Sequence, residues 1–322
     1  MLPDGRGNIL TPLEQHLLAI IQDAFPLEER PYRRLAEMLN TQEQAVFDAV
    51  ENLRQSGIIR RIGGIYDSHR LGFISRLCAG KVTDLEKFAS AVNAIPAITH
   101  NYVRSHEYNV WFTAIAQSEE KIRTIVNGLR AATDLHDVHI LIATKKFKIN
   151  TVMGGAGAPN PERVECNDAK QSPTGVLSDS DRARIRIACD DIPHTLTPFK
   201  DWNVTVDELR EDLAQKRMRR FGAILRHQDA GFAYNAMVCF NAEVTLDAQH
   251  PGLILAQKPY ISHCYERPAF EGFPYTLYAM MHAQSAEELD SFIKDAATSI
   301  GNPEYVVLHS VRELKKTSFR FF

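Results

Sequence analysis

"IRRIGGIYDSHRLGF", Ile59 to Phe73, returns about half a chain later as "MRRFGAILRHQDAGF", Met218 to Phe232. Without a gap, Arg60–Arg61 match Arg219–Arg220, Gly63 matches Gly222, and Gly72–Phe73 match Gly231–Phe232. Self-similarity at a period of half the chain marks a duplication and fusion, not a solenoid. The copies differ at one informative place: Asp67–Ser68 in the first stands against Arg226–His227 in the second.

Outward from the first copy, "TPLEQHLLAIIQDAF" opens on Thr11 with Glu14 three residues on, a capping box, and Leu13, Leu17, Leu18 and Ile21 mark one apolar face. "PYRRLAEMLN" and "TQEQAVFDAVENLRQSG" follow as short helices, the latter expected to start at an N-capping Thr41 and stop at Gly57. The second half carries a weaker version: "DSDRARIRIACDDI", "PFKDWN" and "TVDELREDLAQKR", with Thr205 and Glu208 as another capping box. Three short helices before a basic hairpin form the winged helix-turn-helix pattern.

Downstream the rhythm changes. "FISRLCAGKV" alternates as a strand, "LEKFASAVNAI" is helical, "ITHNYVRSHEYNVWFTAIA" is a hairpin, "EEKIRTIVNGLRAAT" a helix and "DVHILIATKKFKI" a closing strand. That order, βαββαβ, is ferredoxin-like. The second half repeats it from "AYNAMVCFNAEV" to "EYVVLHSVREL", with Asn302–Pro303 breaking the helix before the last strand. Between the halves, Thr151 to Gly175 is rich in Gly, Pro and polar residues and reads as a linker. The expected organisation is α+β and duplicated: winged helix-turn-helix units at 8–66 and 176–226, ferredoxin-like domains at 67–150 and 227–322, and a linker at 151–175. This arrangement resembles the leucine-responsive regulator (Lrp/AsnC-like) family, whose second domains pair sheet against sheet. A fused pair would bring its own dimer partner.

Composition narrows the class. The 322 residues are 44% hydrophobic and 24% charged with a formal net charge of −3, ordinary globular values and not those of a dedicated nucleic-acid binder. The five cysteines, Cys78, Cys166, Cys189, Cys239 and Cys264, have neither CxxC spacing nor an even count, which argues for a reduced, cytoplasmic chain without a zinc site. No export signal opens the sequence, and no apolar run approaches the roughly 20 residues that span a bilayer. The helices that would read DNA are acidic. Glu43, Asp48 and Glu51 face Arg54 alone in the first, and Asp207, Glu208, Glu211 and Asp212 face Arg210 in the second. Phosphate neutralisation needs the opposite sign, so DNA binding is not expected.

The hairpins carry the candidate chemistry. "HNYVR", His100 to Arg104, stands against "HCYER", His263 to Arg267, so His100/His263, Tyr102/Tyr265 and Arg104/Arg267 share offsets. Strand residues two apart share a face, which lines His, Tyr and Arg along one side, with His106 joining if the strand runs straight. The plain alternative is a solvated outer face of the hairpin.

These stretches, "RRIGGIYDSHRLGF", "THNYVRSHEYNVWFT" and "MRRFGAILRHQDAGF", resemble the siroheme decarboxylases, which are built on the regulator architecture from two related subunits. The first half resembles one subunit, the second its partner, and the whole resembles the fused form of the haem d1 pathway. "ERPAFEGFPYTLY" departs from the family where the first half has its Asn-x-Trp run. The resemblance implies removal of two acetate carboxyls from siroheme, giving 12,18-didecarboxysiroheme and carbon dioxide on the way to haem d1 or haem b. It implies no cofactor beyond the iron tetrapyrrole itself, and pairing of the halves as a pseudo-heterodimer, with a further homodimer open. A carboxylate-fringed macrocycle calls for guanidinium forks, for which Arg60, Arg61, Arg104, Arg219, Arg220, Arg226 and Arg267 are the candidates. Tyr102, Tyr265, Trp111 and Phe112 would supply apolar walls. A proton must reach each former acetate carbon, and His100, His106, His227 and His263 are the candidate acids. His227 could instead be the axial ligand of the substrate iron. The expectation is one dominant pocket, because Asp67–Ser68 can supply neither an iron ligand nor a guanidinium. Two other classes remain on the sequence alone: a ligand-sensing regulator, against which the acidic helices count, and a carrier that binds the tetrapyrrole without chemistry.

Overall fold

The computed structural model describes residues 10–149, 176–225, 234–243, 250–316 and 319–322. The first winged helix consists of α1 (Pro12–Asp23), α2 (Pro31–Met38), α3 (Glu43–Gln55) and strand β1 (Ile59–Tyr66). Thr11 and Glu14 form the capping box, and Gly57, at φ 82°, turns the chain out of α3. The N-cap of α3 is Gln42, so Thr41 stands one residue outside it.

The second winged helix has α6 (Asp179–Ala188), α7 (Val206–Ala214) and β7 (Met218–Leu225), again with the Thr205–Glu208 capping box. The helix expected at "PFKDWN" does not form. Its residues are turn and bend, and they bury Phe199. A six-residue segment has little helical bias of its own, so packing decides its conformation.

The two wings are one ribbon. β1 and β7 pair antiparallel with Gly63 directly opposite Gly222, so the halves meet about a quasi-two-fold axis at these glycines. Matching hydrogen bonds tie each wing to the other half: Phe25 N to Phe221 O at 2.8 Å and Ile192 N to Ile62 O at 2.9 Å. The glycines are required by close approach. A Cβ on Gly63 would lie 2.4 Å from the carbonyl of Asp190, and one on Gly222 would lie 2.6 Å from that of Ile21. Both winged helices share a single apolar core.

Downstream of the first wing run β2 (Ile74–Lys81), α4 (Leu85–Asn93), β3 (Ile98–Arg104), β4 (Val110–Ala116), α5 (Glu119–Ala132), β5 (His136–Leu141) and β6 (Lys145–Ile149). The second half supplies β8 (Tyr234–Phe240), α8 (Pro251–Ala256), β9 (Ile261–Glu266), β10 (Leu277–Ala283), α9 (Ala286–Ser299) and β11 (Tyr305–Lys316). Among the described residues the strand order is β5-β2-β4-β3-β11-β8-β10-β9-β6. The closing strand of each half serves both halves. Tyr305 to His309 of β11 pair with β8, after which Ser310 to Lys316 pair with β3. Likewise β5 pairs with β2, and β6 then pairs with β9. Helices α4 and α5 cover the first sheet's outer face, and α8 and α9 the second's. Trp111, Leu141, Met237, Cys239, Phe273, Tyr278 and Leu308 fill the space between the sheets.

At the winged-helix seam a fully buried carboxylate marks the difference between the halves. Asp212 accepts from Arg217 Nε at 2.8 Å, Arg184 Nη2 at 3.0 Å and the Tyr66 hydroxyl of the other half at 2.8 Å. The quasi-equivalent positions are Leu53 for Asp212, Ile58 for Arg217, Leu17 for Arg184 and Leu225 for Tyr66, all buried in the same core. Asp212→Leu should therefore cost about 3–5 kcal/mol in denaturant unfolding, because it leaves the buried Arg217 guanidinium without its carboxylate and Arg184, among the described residues, with Asp181 as its one close carboxylate. Replacing the whole cluster by its counterparts (Arg184→Leu, Asp212→Leu, Arg217→Ile, Tyr66→Leu) should recover most of that loss, since no charge is then left buried without a partner.

Candidate functional site

Two quasi-equivalent faces carry the His, Tyr and Arg residues expected together. On β3, His100 is exposed, Tyr102 half-buried and Arg104 buried at 5% exposure. The Arg104 guanidinium lies over the Tyr102 ring, 4.9 Å from its centroid, and donates from Nη1 to the Leu308 carbonyl at 3.1 Å and to Ser310 Oγ at 2.9 Å. Just past the end of β9, Arg267 lies 5.1 Å from the Tyr265 centroid and donates to the Leu141 carbonyl at 2.6 Å. His263 and Tyr265 continue the ladder with ring centroids 6.3 Å apart and planes at 20°. Each arginine thus bonds the closing strand of the opposite half. A register break sits at each histidine: Thr99 is the extra residue on β3 and Ser262 on β9. Both place a hydroxyl 2.9 Å from the adjacent histidine's Nδ1.

His106 does not belong to this ladder. Strand β3 ends at Arg104, the chain turns so that His106 N donates to the Arg104 carbonyl at 2.9 Å, and the imidazole accepts from Tyr108 N at 3.1 Å. It packs edge-on against Phe273 at the sheet end remote from the winged helices, where burial lowers its pKa. Trp111 and Phe112 part company, because neighbours in a strand point to opposite faces. Trp111 stands directly across from Tyr102 on the ladder's face and is buried between the sheets, whereas Phe112 points the other way into the α4–α5 core and cannot be a wall of a site on that face.

The wing arginines divide by the same alternation. Arg61 and Arg220 turn toward the helix ends, Arg61 beside Asp190 and Asp191 and Arg220 beside Asp23; burial pushes Arg220 down to about 10. They belong to the winged-helix seam and not to the sheet face. Arg60 is half-buried at the register break of β1. Arg219 lies within electrostatic reach of His263 and makes a two-pronged ion pair with Asp67 Oδ2, at 3.0 Å from Nε and 2.9 Å from Nη2. Burial alone would raise the Asp67 pKa, but Arg219 and the His69 amide hold it below the ordinary carboxylate value. His263 moves the other way: burial, then Arg219 and Lys148, push it down to about 4. Arg226 and His227 lie outside the described residues.

Three residues outside the expected site set shape these faces. Asp67 caps its own turn through Oδ1, accepting from the His69 amide at 2.9 Å, while Oδ2 holds Arg219. Glu313 on β11 accepts a hydrogen bond from Tyr102, and together with burial it raises that phenol's pKa. Lys146 on β6 pairs across from Tyr265, at the position matching Glu313. The Asp67/Arg226 mismatch was visible in the repeat. The Glu313/Lys146 mismatch was not, because it depends on each closing strand crossing to the other half.

The helices expected to be unfit for DNA are also built into the seam. Arg54 of α3 pairs with Asp191, Glu51 with His194 at 2.7 Å, and Phe47 stacks on His194 at 4.1 Å. Two shallow grooves, about 230 and 360 Å³, lie near Arg70 and Phe73, and neither includes the His, Tyr and Arg residues of the ladders. Among the described residues no helix is long and apolar enough to cross a membrane.

Known proteins match this arrangement along nearly its whole length. The AsnC-like ligand binding domain family matches residues 70–148 and 229–315, and the siroheme decarboxylase NirDL-like HTH domain matches residues 14–60. The siroheme decarboxylase of Hydrogenobacter thermophilus is 32% identical over 318 residues, covering 95% of this chain and 94% of that one. A siroheme decarboxylase alpha subunit from Desulfovibrio desulfuricans is 46% identical over 139 residues, 42% of this chain and 80% of its own. The crystal structure of the siroheme decarboxylase NirDL in complex with an iron-uroporphyrin III analogue superposes with a TM-score of 0.68 at 28% identity, covering 96% of this chain and 94% of that one. A duplicated unit with paired sheets, seam-bound recognition helices and end-to-end identity with a fused enzyme leaves one assignment: the chain belongs to the siroheme decarboxylase family.

Proposed function

We propose that this chain is a cytoplasmic carboxy-lyase that removes two acetate carboxyls from siroheme, giving 12,18-didecarboxysiroheme and carbon dioxide, with the iron and ring arriving in the substrate and no further cofactor. The halves act as a fused pseudo-heterodimer, a reading supported by a separate alpha-subunit relative that spans 42% of this chain. The observation that carries the proposal is Arg104. The residue is 5% exposed, and among the described residues the partners of its guanidinium are a backbone carbonyl, a serine hydroxyl, the Met280 sulfur and the Tyr102 ring, with no carboxylate. A buried cation of this kind favours an arriving anion, and a fork geometry favours a carboxylate.

Each cycle breaks the bond between an acetate methylene and its carboxylate. Carbon dioxide leaves, the electron pair stays on the methylene carbon in conjugation with the ring, and one proton converts that carbon to a methyl. Of the two ladder histidines, His263 is neutral and weakly basic at pH 7, so little of it can carry a proton to donate. His100 is exposed on the same face as Arg104 and takes the acid role in this reading. Arg60, Arg104 and Arg226 bind carboxylates that remain, Tyr102 packs on the macrocycle, and His227 ligates the iron or shares the proton transfer. Tyr265, Arg267 and Arg219 form the second, quasi-equivalent face.

Anaerobic incubation of the purified chain with siroheme, followed by mass spectrometry of the tetrapyrrole, should show the loss of two carboxyl groups. Bound but unaltered siroheme would instead make the chain a carrier. His100→Gln should reduce single-turnover decarboxylation by about 100-fold or more while siroheme still binds, the usual contribution of a positioned general acid. A change in the visible spectrum of bound siroheme with no loss of rate would move His100 from acid to iron ligand.

His263 also sets a pH limit on stability. Its folded pKa of about 4 lies below the ordinary 6.5, so the unfolded chain takes up the proton first. Stability from this group is complete above pH 6.5 and is lost as pH falls toward 4, by at most about 3 kcal/mol at 1.36 kcal/mol per pH unit. Chemical unfolding of His263→Gln should show a flatter pH profile than wild type across that window.

A further inference from the structure

The two faces carry the same residue types at the positions that could hold a carboxylate-bearing ring, with His100 exposed and His263 partly withdrawn from solvent. His100 and His263 each have Nδ1 fixed 2.9 Å from the hydroxyl of the preceding residue. Arg104 and Arg267 each lie on their own tyrosine and bond a backbone carbonyl of the opposite half's closing strand. On the wing, Arg60 in one copy matches Arg219 in the other. The second face has even gained positive charge, since Lys146 stands across from Tyr265 where Glu313 stands across from Tyr102.

One feature has no counterpart that could act in the same way. Asp67, 8% exposed, holds Arg219 through Oδ2 while its backbone N–H donates to the Arg217 carbonyl at 2.8 Å. The residue aligned with Asp67 in the second copy is Arg226, a cation, so the same ion pair cannot form with Arg60. We propose that the face formed by His263, Tyr265, Arg267, Lys146 and Arg219 is a second tetrapyrrole-carboxylate site, held closed by the Asp67 carboxylate standing in for a substrate carboxylate on Arg219. The proposal rests on the function given above and extends it to the other half of the fold.

The closure is effective because it is intramolecular. A carboxylate tethered next to its guanidinium competes at an effective concentration in about the millimolar range or above, which a free ligand at lower concentration must overcome. The ion pair is also partly withdrawn from water, which strengthens it relative to a surface pair. Removing the Asp67 charge returns Arg219 to the pool of carboxylate binders without altering the ladder.

The test is a count of sites. Full-length wild type is titrated anaerobically with siroheme and followed by visible absorption, with Asp67→Asn alongside; this variant keeps Oδ1 as the turn's acceptor and loses the charge. One equivalent bound per wild-type chain and two per Asp67→Asn chain is the expected result, with the second equivalent lost again in Asp67→Asn/Arg219→Ala. Asp67→Ser, whose hydroxyl can also cap the turn, gives the same reading should the asparagine variant fold poorly. A single equivalent in folded Asp67 variants, or two equal sites in wild type, overturns the closed-site proposal and leaves the decarboxylase reading intact. Wild type that binds no siroheme overturns that reading, and this proposal with it.

Discussion

Everything in this molecule depends on two closing segments, β11 and the pair β5–β6, that each pair with strands of both halves. β11 completes its own sheet with Tyr305 to His309 and then edges the other sheet with Ser310 to Lys316, and β5 with β6 does the same in reverse. Backbone hydrogen bonds along an edge strand are obligatory when that edge is buried. Neither sheet is therefore complete without the other half. The carbonyls that receive Arg104 and Arg267, Leu308 and Leu141, sit on these shared strands. Guanidinium placement in one half is thus set by the backbone of the other, and separation of the halves would dismantle both faces at once.

Duplication supplied that symmetry, and divergence then assigned the halves different work. At the winged-helix seam the change is structural: Asp212, Arg184, Arg217 and Tyr66 form a buried polar cluster where the quasi-equivalent positions hold leucine and isoleucine. The cluster needs the Tyr66 hydroxyl from the first half, so two second halves would meet with Leu225 against a carboxylate. Buried ionic groups of this kind contribute little net stability, and their best-attested use is to fix which surfaces meet. On the sheet faces the divergence concerns charge, through Asp67 against Arg226 and Glu313 against Lys146.

The fold could be read from the sequence because its signals are local. Capping boxes at Thr11 and Thr205, the βαββαβ rhythm and the ungapped glycine repeat each depend on neighbouring residues. The His-Tyr-Arg ladder was also legible, since alternation in a strand needs only period two. What failed were inferences that needed three dimensions. His106 falls after the last hydrogen-bonded residue of β3, Arg61 and Arg220 turn away from the sheet at the wing, and "PFKDWN" takes its conformation from packing. The partners of the ladder tyrosines, Glu313 and Lys146, come from strands that change sheets. No local pattern announces such an exchange.

A last constraint follows from the chemistry and the charges together. An arginine fork stabilises the carboxylate it holds, and decarboxylation destroys that same charge, so a tightly paired arm is protected from reaction. The arms that lose carbon dioxide must then lie where no guanidinium reaches and where a proton donor does. On the proposed function, Arg104, buried at 5% exposure, would anchor an arm that survives, and the exposed His100 on the same face would mark where a reacting methylene lies. On that proposal the arginines would determine the site of reaction by exclusion, holding the ring in register and leaving only selected arms without a counter-ion.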